Sequence, residues 1–154
     1  MSLETIYYIG QTIAVVALVL SLGFVGVQIR QNTRATRASS HHAVTDALNQ
    51  INFIFATNDD VTNRWLAGID GRADMSPKDQ WQFDAFLRAY FHACETMFVQ
   101  AQLGVGDREI MIAEEGGLKF LMNTEGAQQF WDENLFGFGP NFRAYVERLR
   151  SGAG

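Results

Sequence analysis

The run IYYIGQTIAVVALVLSLGFVGVQI, residues 6–29, constrains this chain more than any other feature. No charged residue occurs between Glu4 and Arg30. As a helix, a run of this length reaches roughly 36 Å, enough to cross a hydrocarbon core of about 30 Å with some tilt. Thirteen of its residues are Leu, Ile, Val or Phe. Each favours the membrane centre by roughly 0.3–0.6 kcal/mol, and together they outweigh Gln11, Thr12 and Gln28 near the ends. Tyr7 and Tyr8 fall at headgroup depth, where amphipathic rings concentrate. The segment therefore reads as a transmembrane helix. A buried helix of a soluble core would normally keep a polar stripe, and this one has none. It is not expected to be a cleaved signal peptide, because residues 1–5 carry no base and the apolar run exceeds the roughly 7–15 residues of a signal core.

Charge gives the orientation. Ahead of the span stands only Glu4; after it come Arg30, Arg34 and Arg37, with no acid before Asp46. The positive-inside rule leaves residues 1–5 outside as a short non-cytoplasmic N-terminus. It places the basic juxtamembrane segment 30–37, and everything beyond, in the cytoplasm, so the expected location is the bacterial inner membrane. The three arginines suit anionic headgroups, at about 1 kcal/mol each near the surface. The span also has a face. Gly10, Ala14, Ala17 and Ser21 lie four, three and four apart, and Gln28 continues their stripe. Small side chains at that spacing let a second membrane helix approach closely, whether from another subunit or from another copy of the chain.

Residues 38–150 are long enough for one compact domain, with 151–154 a frayed tail. From residue 38 onward there are nine Lys or Arg and sixteen Asp or Glu, a net charge of −7. Such a domain repels phosphate backbones, which argues against nucleic-acid binding. Cys94 is the only cysteine, in keeping with a reducing compartment.

The pattern along this domain is helical throughout. No Pro or Gly lies between Val27 and Ala67, so the membrane helix is free to run on past the span. Val44, Leu48, Ile51 and Phe55 form an apolar stripe with Ile54 beside it. TNDD at 57–60 supplies a stop and an N-cap, and a short helix ends near Gly68 or Gly71. Residues 70–76 read as a loop. Ser76-Pro77-Lys78-Asp79 starts a long helix that stops at Gly104. Its seam is Phe83, Leu87, Tyr90, Cys94, Met97 and Ala101, flanked by Phe86, Phe91 and Phe98. Asp107 opens a fourth helix that Gly116-Gly117 could kink or split. Thr124 caps the next, and Pro140 starts the last. The expected fold is all-α: one N-terminal transmembrane helix running into a cytoplasmic bundle of five or six helices.

Few residues point to chemistry. His92 and Glu95 share a helix face, as carboxylate–histidine pairs do in di-iron bundles, with His41, His42 and Asp46 as conceivable additions. The motif occurs once and in reversed order, so a hydrogen-bonded structural pair is the expectation, and no metal or other cofactor is assigned. Cys94 sits on the apolar seam like a small hydrophobe, without a cation to activate it. Glu114-Glu115 reads as a solvated face. LGVGD, residues 103–107, lacks the glycine and Lys-Ser/Thr of a phosphate loop. No ionisable group and no histidine lies inside the span, which argues against an ion pathway or an axial pigment ligand there. No catalytic residue is assigned.

Several stretches together resemble a group of small bacterial single-span membrane proteins. They are VGVQIRQNTRATRAS after the span; the SPxDxxxF pattern at Ser76–Phe83; GxxDxE at Gly104–Glu109; and TxGAQQFWxxN followed by FGPNFRxYV between Thr124 and Val146. The resemblance implies membrane anchoring and a helical fold, and it carries no activity. The sequence thus points to a non-catalytic accessory or scaffold subunit of a larger inner-membrane assembly, for example a respiratory or photosynthetic complex. The alternative is a membrane-tethered domain that self-assembles or senses a small ligand.

Overall fold

A computed structural model describes residues 2–106 and 108–152. Its regular elements are all helical: α1 (Leu3–Thr57), α2 (Asp59–Asp70), α3 (Pro77–Gln102), α4 (Arg108–Met122), α5 (Glu125–Asn134) and α6 (Pro140–Arg150), with a 3-10 turn at Leu135–Gly137 between the last two. The chain divides into two compact units, one ending at Ala38 and the other beginning at Ser39. The all-α expectation holds, with six helices, the first of them long and apolar. α1 is unbroken, as the lack of Pro and Gly after Gly26 foretold. Asp107, expected to open α4, and the end of the frayed tail, 153–154, lie outside the described residues.

In the first unit, no side chain from residue 3 to residue 32 is even half-buried. Every Leu, Ile, Val and Phe of residues 6–29 is at least 47% exposed. By length and composition this part of α1 suffices for a membrane span or for a signal sequence.

The second unit has a closed core. The last turns of α1 contribute Val44, which is buried, and Leu48, which packs half-buried against the core. α3 contributes most: Phe83, Leu87, Phe91, Cys94, Met97 and Phe98 are all buried. This corrects the seam read from sequence. Phe91 and Phe98 are core residues, while Tyr90 is only half-buried. The 4-4-3-4 stripe 83-87-91-94-98 faces the core, and Tyr90 is turned toward α4, where its hydroxyl bonds Glu114 Oε2 at 3.4 Å. α5 and α6 close the core with Phe130, Trp131, Phe142 and Val146, each 1% exposed or less. Phe91 lies at the centre, its ring 5.0 Å from Trp131 and 5.9 Å from Phe138.

Local signals explain the helix ends. Asn58 caps α2 by accepting the Val61 N–H at 3.1 Å. Ser76 caps α3 through the Asp79 N–H at 3.2 Å, with Pro77 at the first helical position. Gly104, at φ +69°, ends α3 in the left-handed conformation that glycine adopts without penalty. Thr124 stands at the N-cap of α5 but makes no capping bond; its hydroxyl instead donates back to the Leu121 carbonyl at 2.8 Å. α4 passes through Gly116-Gly117 without breaking. The glycine that matters there is Gly117, because a Cβ at that position would collide with the Tyr90 hydroxyl. Gly126 plays the same part between α5 and α2, its α-carbon lying against the Gly68 carbonyl.

Candidate functional site

The residues read as functional in the sequence fall in different settings. Gly10, Ala14, Ala17 and Ser21 are all exposed, and a Cβ added at Gly10 meets nothing within 4 Å. Arg30, Arg34 and Arg37 are likewise exposed along α1. The stripe and the arginines are surface features of one helix.

His92 and Glu95 form a pair, with Nδ1 3.3 Å from Oε2. The other Glu95 oxygen accepts the Gly139 N–H at 2.7 Å, and the His92 ring lies 4.9 Å from that of buried Phe138. The pair therefore clamps the turn that leads into α6. Among the described residues no three His, Cys, Asp or Glu side chains come together as a cation-binding group. His41 and His42 are exposed neighbours on α1. Burial pushes the Cys94 thiol up to about 12, so it stays protonated and unreactive at neutral pH.

Glu114 and Glu115 are more than a solvated face. Both are half-buried, and each accepts a tyrosine hydroxyl: Glu114 from Tyr90, and Glu115 from Tyr145 at 2.9 Å. Burial, followed by the Glu115 carboxylate, raises the Tyr145 phenol; burial, followed by Cys94 and Glu114, raises that of Tyr90. The two pairs tie α4 to α3 and α6.

Among the concavities on the described surface of the second unit, two border α2. One, of about 750 Å³, lies along α2 and the loop after it and is strongly acidic: Asp60, Asp70, Asp74, Asp79 and Glu125 line it, with Arg64 the one cation among the described residues that do so. Arg64 is held by Asp79, Nε to Oδ1 at 2.6 Å. Hydrogen bonds from Ser76 and then from Arg64 hold the Asp79 carboxyl below its ordinary range. The other, of about 500 Å³, runs between α1, α2 and α3 and is nearly neutral, lined by Ala47, Ile51, Ile54, Trp81, Ala85 and Phe86 among others. Trp81 is 69% exposed at its edge.

Sequence reasoning missed Arg72 altogether. It sits in what read as a plain loop, yet it is only 4% exposed. Its guanidinium reaches Asp84 on α3 at 2.8 Å and Glu133 on α5 at 3.0 Å. Its backbone N–H donates to Gln129 at 3.1 Å. Burial raises the Asp84 carboxyl above its ordinary range, and Arg72 only partly offsets it. An arginine two residues after a helix end gives no local sign that two distant helices will enclose it.

Two of the stretches behind the resemblance have structural work here. In TEGAQQFW, Gly126, Ala127, Phe130 and Trp131 are core, Gln128 binds the Met122 carbonyl at the end of α4, and Gln129 holds Arg72. In FGPNFRAYV, Phe138, Phe142, Tyr145 and Val146 are core. No family model, curated protein or solved structure matches the chain.

Proposed function

We propose that this chain is a non-catalytic single-span subunit that serves as an accessory or scaffold in a larger bacterial inner-membrane assembly. Residues 6–29 cross the bilayer, the N-terminus lies outside, and the helical domain faces the cytoplasm. The carrying observation is the exposure of residues 6–29: thirteen large aliphatic or aromatic side chains on one helix are uncovered by the rest of the protein. Contiguous apolar surface of that extent is stable only against lipid or another protein. The small-residue stripe supplies a surface for helix contact, and the arginines that follow supply the headgroup contact. Likeness to small single-span bacterial proteins in the stretches quoted above supports the same reading.

A reporter active only in the cytoplasm, fused to the C-terminus, tests the topology: strong signal is expected, and signal only from a periplasm-specific reporter overturns it. Mass and stoichiometry of the particle purified in mild detergent test the assembly. Co-purifying membrane subunits are expected, whereas a lone monomer after gentle extraction argues against it. The second reading, a tethered domain sensing a small ligand, draws on the acidic concavity of about 750 Å³. A small molecule retained by the purified domain would favour it.

A further inference from the structure

The loop between α2 and α3 forms one wall of the acidic concavity and is held in an unusual way. Gly71, at φ +152°, turns the chain out of α2 in a conformation that favours glycine. Met75 is its apolar contact with the core, and only half-buried. The rest of the attachment is polar: Arg72 to Asp84 and Glu133, and the Arg72 N–H to Gln129. That attachment is incomplete. Among the described residues, Arg72 Nε and Asp84 Oδ1 are both buried without a hydrogen-bond partner, and Glu133 is 62% exposed. A buried ion pair with unsatisfied atoms has given up hydration that its own contacts do not fully restore.

We propose that residues 71–76 are a latched flap on the acidic concavity, with Arg72 as the latch, and that the flap opens while the helices stay folded. Opening rehydrates the two unsatisfied atoms and costs only the Met75 contact, a few polar bonds and one turn. The core, from Leu87 to Val146, keeps all its contacts. The open form widens the concavity from the loop side and presents a free guanidinium at its rim.

Native-state amide hydrogen exchange on the full chain in detergent tests this. The Arg72 and Met75 amides are expected to exchange at least about 100-fold faster than those of Leu87 and Phe91, at rates insensitive to dilute urea, the signature of sub-global opening. Trypsin should then cut the Arg72–Ala73 bond under native conditions, since the side chain it reads is buried until the flap opens. If these amides exchange only with the α3 core, and the bond resists until global unfolding, the flap does not exist. A double variant, Arg72→Met with Asp84→Leu, locates the weak point. Slower Met75 exchange, by about tenfold, is expected when an apolar pair replaces the unsatisfied ions. Faster exchange would show that the ion pair holds the flap more firmly than an apolar pair does, and would overturn its reading as the weak point of the attachment. If that variant does not fold, the parent's exchange and cleavage still decide whether the flap opens.

Discussion

Residues 6–29 of α1 and the whole of α3 are apolar helical stretches of similar length, and they differ in how their apolar surface is arranged. Along the first, every Leu, Ile, Val and Phe is exposed, and apart from Phe24 the residues from Thr12 to Val27 are aliphatic, β-branched or small. Along α3 the apolar weight is aromatic and gathered on one side: Phe83, Leu87, Phe91, Cys94, Met97 and Phe98 are buried, while Trp81, Arg88, His92 and Thr96 face out. A helix whose other side meets water must hide a stripe, and α3 does. A helix apolar all round needs lipid or protein on every side. The number of apolar residues does not separate the two; their angular distribution does.

The largest expected effect lies on the α3 side of that comparison. Phe91 is fully buried among Phe130, Trp131 and Phe138. Phe91→Ala should cost the domain about 3–5 kcal/mol in urea unfolding, because the ring's transfer energy is lost and a cavity remains. Phe98→Ala, 6% exposed, belongs near the same range. A loss below about 1 kcal/mol at either site would show that α3 does not pack as described.

Next comes a charge placed on each helix. Leu18→Arg puts a cation at the middle of the apolar run, where it should oppose insertion by about 2.5–3.5 kcal/mol. Alkaline extraction of membranes should release more of this variant than of the parent. Thr96→Arg, on the exposed face of α3, should leave stability within about 0.5 kcal/mol. Equal membrane retention of Leu18→Arg and the parent would remove the distinction between the two helices.

Glycines give a finer test. Gly126 lies against the Gly68 carbonyl, so Gly126→Ala must push α5 from α2 and should cost about 1–3 kcal/mol. Gly116 has open space around it, and Gly116→Ala should gain about 0.5–1 kcal/mol through helix propensity. Gly23, equally open, should accept alanine with no change in membrane level. Comparable urea midpoints for the alanine variants at 116 and 126 would contradict the close α2–α5 approach.

A smaller effect follows from Asp84. Its carboxyl is raised by burial, so the ionised form is the strained one in the folded state. The sign follows: above its folded value the charge costs stability, and that cost is relieved as pH falls through this value toward the unfolded one. The parent should therefore gain on Asp84→Asn as pH is lowered from 7 into the acid range. Paired urea titrations at the two pH values read this directly. A parent that instead loses ground to Asp84→Asn on acidification would show Arg72 outweighing burial.

What the sequence made legible was what neighbours along the chain decide. Ser76-Pro77 and Gly104 bracket α3 because caps and left-handed glycines act within a turn. The unbroken course of α1 follows from its composition alone. What stayed hidden depends on partners far along the chain. Tyr90 and Phe91 are adjacent, and either could have faced the core; α4 decides, through Glu114 and the bare α-carbon of Gly117. Arg72 is enclosed by α3 and α5, and Glu95 is aimed at a turn 44 residues later. The stripe on α1 is the converse case. Its spacing is plain in the sequence, but a contact with a separate molecule leaves no trace in the fold of one chain.

That stripe carries the smallest expected energy and the most direct bearing on function. Gly10, Ala14, Ala17 and Ser21 are exposed on α1, and among the described residues nothing lies within 4 Å of a Cβ added at Gly10. Helix contacts within lipid are worth little each, on the order of 1 kcal/mol, and depend on close backbone approach. Ala17→Leu keeps the run apolar, so insertion and membrane level should match the parent. The added bulk in mid-stripe should hold a neighbouring helix away and lower recovery of the complex or oligomer in mild detergent. Val19→Leu, which lies off the stripe, changes volume without narrowing any contact and should co-purify normally. Equal co-purification of Ala17→Leu and the parent would make the stripe a matter of composition. Recognition would then pass to the second unit, where Trp81 and Ile54 edge the neutral groove and form the next surface to vary.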